Sequence, residues 1–168
     1  MIQDTLQQFR EKMGEVLDLR AAIHLLHWDL EVYMPPKAAP ARGRQLATLA
    51  ALEHRLFTSQ EMGALLQRLE DASGELDEDA ARLVSETAYD FRRATCLPVE
   101  FVERFAEVQS LAYQAWVKAR EESDFPQFLP NLETIIEMLR QRAGYLGYEE
   151  TPYNALLEDY ERGMTAKP

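Results

Sequence analysis

Cys96 is the only cysteine in the 168 residues. A lone thiol cannot form an intramolecular disulfide, so packing has to hold the fold together. Glycine is scarce, at 7 residues, and β-branched residues are few. Strands and the tight turns that join them draw on both, and no segment alternates apolar and polar residues as a half-buried strand does. Basic residues are outnumbered, 18 against 29 acidic, leaving a net charge of -11. Phosphate backbones are gripped by clustered Lys and Arg, so this balance argues against nucleic acid as a partner. Long apolar runs are missing as well. Residues 46–52 form one such run, which falls far short of the roughly 20 residues a bilayer needs. The opening residues carry no apolar core behind a basic end, so no signal peptide is read there and the expected location is cytoplasmic.

What fills the chain instead is Ala, Leu, Glu, Arg and Gln, the strong helix formers. The hydrophobic share of 46% is that of a globular domain and repays the entropy of ordering. The expected fold class is all-α: one domain over residues 1–168, an antiparallel helical bundle or coiled-coil-like arm of about six to seven helices.

Apolar periodicity places the helices. A first helix is expected over about residues 4–33, with Leu6, Phe9, Met13, Val16, Leu17, Ile23, Leu26 and Leu30 facing inward, ended by Pro35 and Pro36. A second covers about residues 38–57, with Leu46, Leu49, Ala50, Leu52 and Leu56 inward. Thr58-Ser59-Gln60-Glu61 reads as a capping box that opens a third helix to about Leu69. A fourth is expected over about residues 77–95, and Pro98 is expected at the first position of a fifth that carries Phe101, Val102, Phe105, Val108, Leu111, Ala112, Ala115 and Trp116. A sixth covers about residues 126–146 and a last short helix residues 153–160.

Few constellations carry chemistry. His24 and His27 stand three apart and can share a helix face, as two zinc ligands would, but the remaining histidine, His54, lies on the next helix. The bland reading sets one of the pair in the core and the other at the surface. No His-Glu-x-x-His occurs, so there is no local pair of zinc ligands flanking a general base. Cys96 follows Arg92 and Arg93 by one turn but has no base beside it in sequence, and reads as inert packing. Glu75, Asp77, Glu78 and Asp79 read as the solvated start of a helix.

Three stretches add a resemblance. They are His27-Trp28-Asp29-Leu30-Glu31-Val32-Tyr33-Met34-Pro35-Pro36 with Arg42 and Gln45-Leu46-Ala47; Ala115-Trp116-Val117-Lys118-Ala119-Arg120 running through Asp124-Phe125 and Phe128 to Pro130-Asn131-Leu132; and Pro152-Tyr153-Asn154-Ala155-Leu156-Leu157-Glu158-Asp159-Tyr160-Glu161-Arg162-Gly163-Met164-Thr165. In order and spacing they resemble the N-terminal region of the carboxypeptidase Taq family. The resemblance implies a cytosolic, helical, cleft-containing and commonly homodimeric zinc metallocarboxypeptidase that removes C-terminal residues from peptides. Family members carry their zinc ligands and catalytic Glu in a His-Glu-x-x-His segment beyond the matched region, so no catalytic or metal residue carries over, and zinc is implied only for a full-length member. The matched residues Trp28, Asp29, Tyr33, Met34, Pro35, Trp116, Arg120, Phe125, Tyr153, Leu156, Leu157, Tyr160 and Gly163 are expected to be structural. Trp28 and Trp116 are expected between helices, Asp29 accepting from an indole N–H, and residues 34–36 fixing the first turn. Two departures stand out: Asn154 where the family has Asp, and Arg162 where it has Pro, which predicts that the last helix runs further.

The resemblance makes the chain the cleft wall or lid of such an enzyme, inactive by itself, with a peptide substrate only when joined to a catalytic region. A homodimer is expected, since an uncovered apolar face in water finds a partner. The alternative is a stand-alone dimerisation or interaction module without catalysis. A third possibility is a metal-binding bundle using His24 and His27.

Overall fold

A computed structural model describes residues 1–167. Among these, seven α-helices follow one another without a strand: α1 (Ile2–Val32), α2 (Ala39–Phe57), α3 (Gln60–Asp71), α4 (Glu78–Thr95), α5 (Val99–Glu121), α6 (Phe125–Leu146) and α7 (Pro152–Leu157). Short 3-10 turns at Pro36–Ala38 and Ser73–Glu75 interrupt the connections before α2 and α4.

Polar side chains set the helix starts by accepting from backbone N–H groups that have no partner in the first turn. Asp77 accepts from the Ala80 N–H at 2.8 Å, and Asp124 from that of Gln127 at 3.3 Å. The start of α3 corrects the capping-box expectation. Ser59 is the cap, accepting from the Met62 N–H at 3.2 Å. The third helical residue is therefore Met62, which has no carboxylate to reach back, and Thr58 instead donates its hydroxyl to the His54 carbonyl at 2.7 Å. Pro98 likewise sits one residue earlier than expected, as the extended cap of α5 (φ -61, ψ 144).

Apolar burial falls into two clusters. In the first, Leu6, Phe9 and Val16 of α1 meet Phe57 of α2, Met62, Leu65, Leu66 and Leu69 of α3, and Ala80, Val84 and Ala88 of α4. The second is smaller, with Phe101 and Phe105 of α5 against Met138 of α6, flanked by Leu97, Val108 and Leu139. Helix α2 is the spine between them. Its Gly43 lies beside Glu107, Ser110 and Leu111 of α5, while His54 near its other end lies 2.9 Å from the Leu97 carbonyl just before α5. The two helices are therefore antiparallel, and small buried residues (Ala39, Gly43, Ala47 and Ala51 against Ser110, Ala112 and Ala119) let them approach closely.

Several residues expected inward face out: Leu17, Leu52 and Leu111 are 54%, 47% and 40% exposed. Each obeys the helical period but is left partly uncovered; Leu111 touches α2 at Gly43 and still keeps much of its surface open. The last helix stops at Leu157 rather than running on to Tyr160, and the chain then turns through Gly163 at φ 80, the left-handed region where a glycine is favoured.

Candidate functional site

The matched residues fall at opposite ends of the α2–α5 pair. Because α2 runs antiparallel to both α1 and α5, the α1–α2 turn and the α5–α6 turn share one end. There, Asp29 near the end of α1 binds Arg42 of α2 at 2.6 Å, and the same guanidinium donates to the Leu26 carbonyl at 2.8 Å. This corrects the assignment of Asp29 to an indole: its carboxylate is taken by Arg42, while its carbonyl accepts from the Tyr33 and Met34 N–H groups at 3.0 and 2.8 Å. Pro35, in extended geometry (φ -61, ψ 139), then redirects the chain into the 3-10 turn. Asp29, Met34 and Pro35 thus build the turn.

The tryptophans do not pack between helices as expected. Trp28 is 53% exposed and stands edge-to-face on Tyr33 with ring centres 5.3 Å apart. Trp28 stands two residues from both Leu26 and Leu30, about 200° around the axis, which puts it on the face opposite that stripe and away from α2. Trp116 is partly exposed, and the Arg120 guanidinium lies 5.2 Å from the centre of its ring. Together with Ala119, Ser123, Phe125 and Phe128 these two side chains line a shallow cleft of about 320 Å³.

At the other end a polar clamp ties the C-terminal segment to α4 and α6. Asp159 is forked: Arg93 of α4 donates to one carboxylate oxygen and Arg142 of α6 to the other, both at 2.8 Å. Arg93 also donates to the Ala155 carbonyl at 3.0 Å, meeting one of the carbonyls that α7 leaves open. The Tyr89 hydroxyl donates to Glu158, whose second oxygen accepts from the Gly163 N–H at 2.8 Å. These two bonds hold the Glu158 carboxyl below its usual range, while burial and the bond to Glu158 push the Tyr89 phenol up. Arg162, which stands where the family pattern has Pro, does not extend the helix. It lies 3.7 Å from the centre of the Tyr89 ring and bonds Glu86 at 2.6 Å. Asn154 explains the other departure: its amide donates to the Glu149 carbonyl at 3.3 Å and its oxygen accepts from the Ala166 N–H at 2.8 Å, two roles that a carboxylate cannot combine. The remaining matched residues, Tyr153, Leu156, Leu157 and Tyr160, line a groove of about 480 Å³ with Phe105 and Leu139.

Between the two clusters lies a polar cavity of about 210 Å³, lined among others by Arg20, Glu53, His54, Arg93, Arg142 and Asp159. Arg20 and Glu53 pair across it at 2.7 Å. Nothing in the sequence announces this seam, because its partners stand as far as 66 residues apart.

The histidines do not gather. His24 is exposed, while His54 is buried on α2 against the Leu97 carbonyl. His27 is half-buried, and that burial lowers its pKa. Neither of the neighbouring pair lies in the core. Among the described residues no group of three or more His, Cys, Asp or Glu is placed to hold a metal ion, so the residues present do not fit a catalytic metal. Cys96 is exposed and directs its thiol to the Arg92 carbonyl at 3.3 Å. No helix among the described residues is long and apolar enough to cross a membrane.

Proteins that share this all-α fold and the motifs at both of its ends are metallopeptidases. The family model described as carboxypeptidase Taq (M32) metallopeptidase matches residues 8–168, and the chain belongs to that family. It is 34% identical to the thermostable carboxypeptidase 1 of Pyrococcus furiosus, over 98% of this chain and 33% of that protein. Carboxypeptidase 1 of Bacillus subtilis is 29% identical over 96% of this chain and 32% of its own length. A solved structure of the protein called BsuCP superposes with a TM-score of 0.94 at 28% identity, covering 98% of this chain and 33% of that one. The chain thus spans about a third of the length of the relatives it matches, and corresponds to their N-terminal portion.

Proposed function

We propose that this chain is the N-terminal helical region of a carboxypeptidase Taq-like zinc metallocarboxypeptidase, where it forms a wall or lid of the peptide cleft. The observation that carries this reading is the superposition of nearly the whole chain, at a TM-score of 0.94, on one third of a longer relative. Zinc, the general base and the substrate contacts belong in this reading to the other two-thirds, and the chain contributes shape: a rigid spine, α2, with turns fixed by Asp29–Arg42 at one end and by Asp159 at the other. The place of action is the cytoplasm, and the assembled enzyme is a homodimer acting on peptides with a free C-terminus.

The test is a chimera in which this chain replaces the matching third of Bacillus subtilis carboxypeptidase 1. The expected result is a folded protein with zinc-dependent release of C-terminal residues, and no such activity from this chain alone. Chelator-sensitive hydrolysis by the isolated chain, or a chimera that does not fold, contradicts the reading. The second reading, a stand-alone interaction module, is favoured by the exposed apolar surface of Leu25, Trp28, Val32 and Tyr33 on and just after α1. Light scattering at high protein concentration tests it, since a strict monomer has no use for that face.

A further inference from the structure

Helix α7 has only six residues, far too few to persist in water without support. Its one buried side chain is Ala155. Its large residues, Tyr153, Leu156 and Leu157, face a groove whose far wall is Phe105 of α5 and Leu139 of α6, and Tyr160 stands at its edge, 90% exposed. The helix is nonetheless held firmly, by Arg93 on its carbonyl, by Glu158 in the clamp, and by the Asp159–Arg142 pair, which forms the polar side of the same groove. An apolar surface fixed in place by polar bonds is preorganised for a partner, because little ordering remains to be done on binding. The unit's own core does not use these side chains, although all four belong to the stretch that matches the family pattern.

We infer that the groove between α5, α6 and α7 is the seat of an apolar helix face contributed by the remaining two-thirds of the carboxypeptidase, and so is the joint between this unit and the catalytic region. The inference rests on the proposed function. The occupant is argued from length: relatives that carry this same unit are about three times as long, the chain covering 33% of them, and that additional mass covers surface left open here. The groove is lined by Phe105, Leu139, Leu156 and Leu157, which can take aliphatic or aromatic anchors, with Gln109 and the Arg142–Asp159 pair as its polar side. The tryptophan-bearing end, by contrast, offers a smaller and shallower cleft of about 320 Å³, with Trp28 and Tyr33 standing free beside the turn.

The test uses the chimera with Bacillus subtilis carboxypeptidase 1 and the isolated chain side by side, each with and without Tyr153→Asp plus Tyr160→Asp. These side chains are 57% and 90% exposed in the isolated chain, so its urea midpoint stays unchanged. In the chimera a carboxylate is forced into a dry joint, and heat inactivation at a fixed temperature is expected to speed up by about tenfold or more, equivalent to about 1.4 kcal/mol. Hydrogen exchange provides the second measurement, with the amides of residues 153–157 at least about tenfold more protected in the parent chimera than in the isolated chain. Equal loss of stability in both proteins gives the tyrosines a role inside the unit and overturns the inference. A folded, active chimera indifferent to both substitutions places the joint elsewhere: the inference falls while the proposed function stands. A chimera that cannot fold removes the proposed function, and the inference with it.

Discussion

Replacing Asp159 by Asn removes the charge that two arginines share without changing side-chain size. In the native chain the carboxylate bonds Arg93 and Arg142 at 2.8 Å each, with side chains only 22–28% exposed. Arg142 depends on this bond heavily, because its Nε is buried with no acceptor among the described residues. An exposed ion pair contributes about 0–1 kcal/mol, whereas breaking a buried one costs about 3–5 kcal/mol. The partial burial here places Asp159→Asn between those limits. The amide oxygen keeps one hydrogen bond, so the expected loss is about 1.5–2 kcal/mol, and Asp159→Ala loses about 1 kcal/mol more. For a domain of this size that is a fall in Tm of roughly 3–8 °C. Urea denaturation with an unchanged slope gives the free energy, and a double-mutant cycle with Arg142→Gln isolates the shared bond, with an expected coupling of about 1 kcal/mol. Hydrogen exchange should show α7 losing protection before the first apolar cluster does. A change in stability within about 0.3 kcal/mol, with α7 exchange unaltered, refutes the argument that Asp159 ties α4 to α6.

Acid should loosen the same region. Glu158 has its folded pKa lowered by the Tyr89 hydroxyl and the Gly163 N–H, so its contribution is complete above the ordinary value of 4.5 and disappears as pH falls through the folded value. Tyr89 is raised above 10.0, so its contribution holds below that pH and is lost as pH rises through the folded value. Stability measured between about pH 3 and 6 should therefore rise with pH, and Glu158→Gln should flatten that slope. Arg42→Ala removes both the Asp29 pair and the bond to the Leu26 carbonyl, and a loss of about 2 kcal/mol in thermal unfolding is expected. Gly14→Ala and Gly144→Ala place a methyl in open space within helices and should each stabilise by about 0.5–1 kcal/mol. Gly63→Ala brings a methyl to 2.9 Å from the Phe91 ring; crowding outweighs the gain in helix propensity, for a net loss of about 1 kcal/mol in the same urea assay.

Helix order and breaks were legible because they rest on local rules: the period of apolar residues, the prolines between helices, and the acidic run around Asp77 that opens α4. Burial was legible only where a second helix lies over the stripe. Leu6, Phe9 and Val16 are buried as their spacing predicts, yet Leu17 and Leu52 obey similar spacing and face out, since periodicity records a face and not what covers it. Trp28 and Trp116 show the same limit. Size and apolar character put them in the core on paper, but in the fold they stand at one end, beside Tyr33 and Arg120. The resemblance located the residues that build both ends without disclosing their partners. Arg42 as the partner of Asp29 bridges two helices across a turn, and Tyr89–Glu158 spans 69 residues.

That blindness has a physical cause in how this unit is assembled. The two apolar clusters share no buried residue, and the space between them brings three arginines and three carboxylates in beside Phe57, Leu97 and Leu146. Apolar burial is non-directional, so it can form each cluster but cannot alone fix the angle between them. Direction comes from α2, which contributes Phe57 to the first cluster and packs its small residues along α5, and from charge-assisted bonds with defined geometry. Asp159 joins α4, whose alanines and Val84 lie in the first cluster, to α6, whose Met138 lies in the second. Such bonds are screened by salt far more than apolar contacts are. Raising ionic strength should therefore loosen the C-terminal segment and the seam while both clusters persist, and exchange protection lost uniformly from α1, α3 and α7 together would contradict this division of labour.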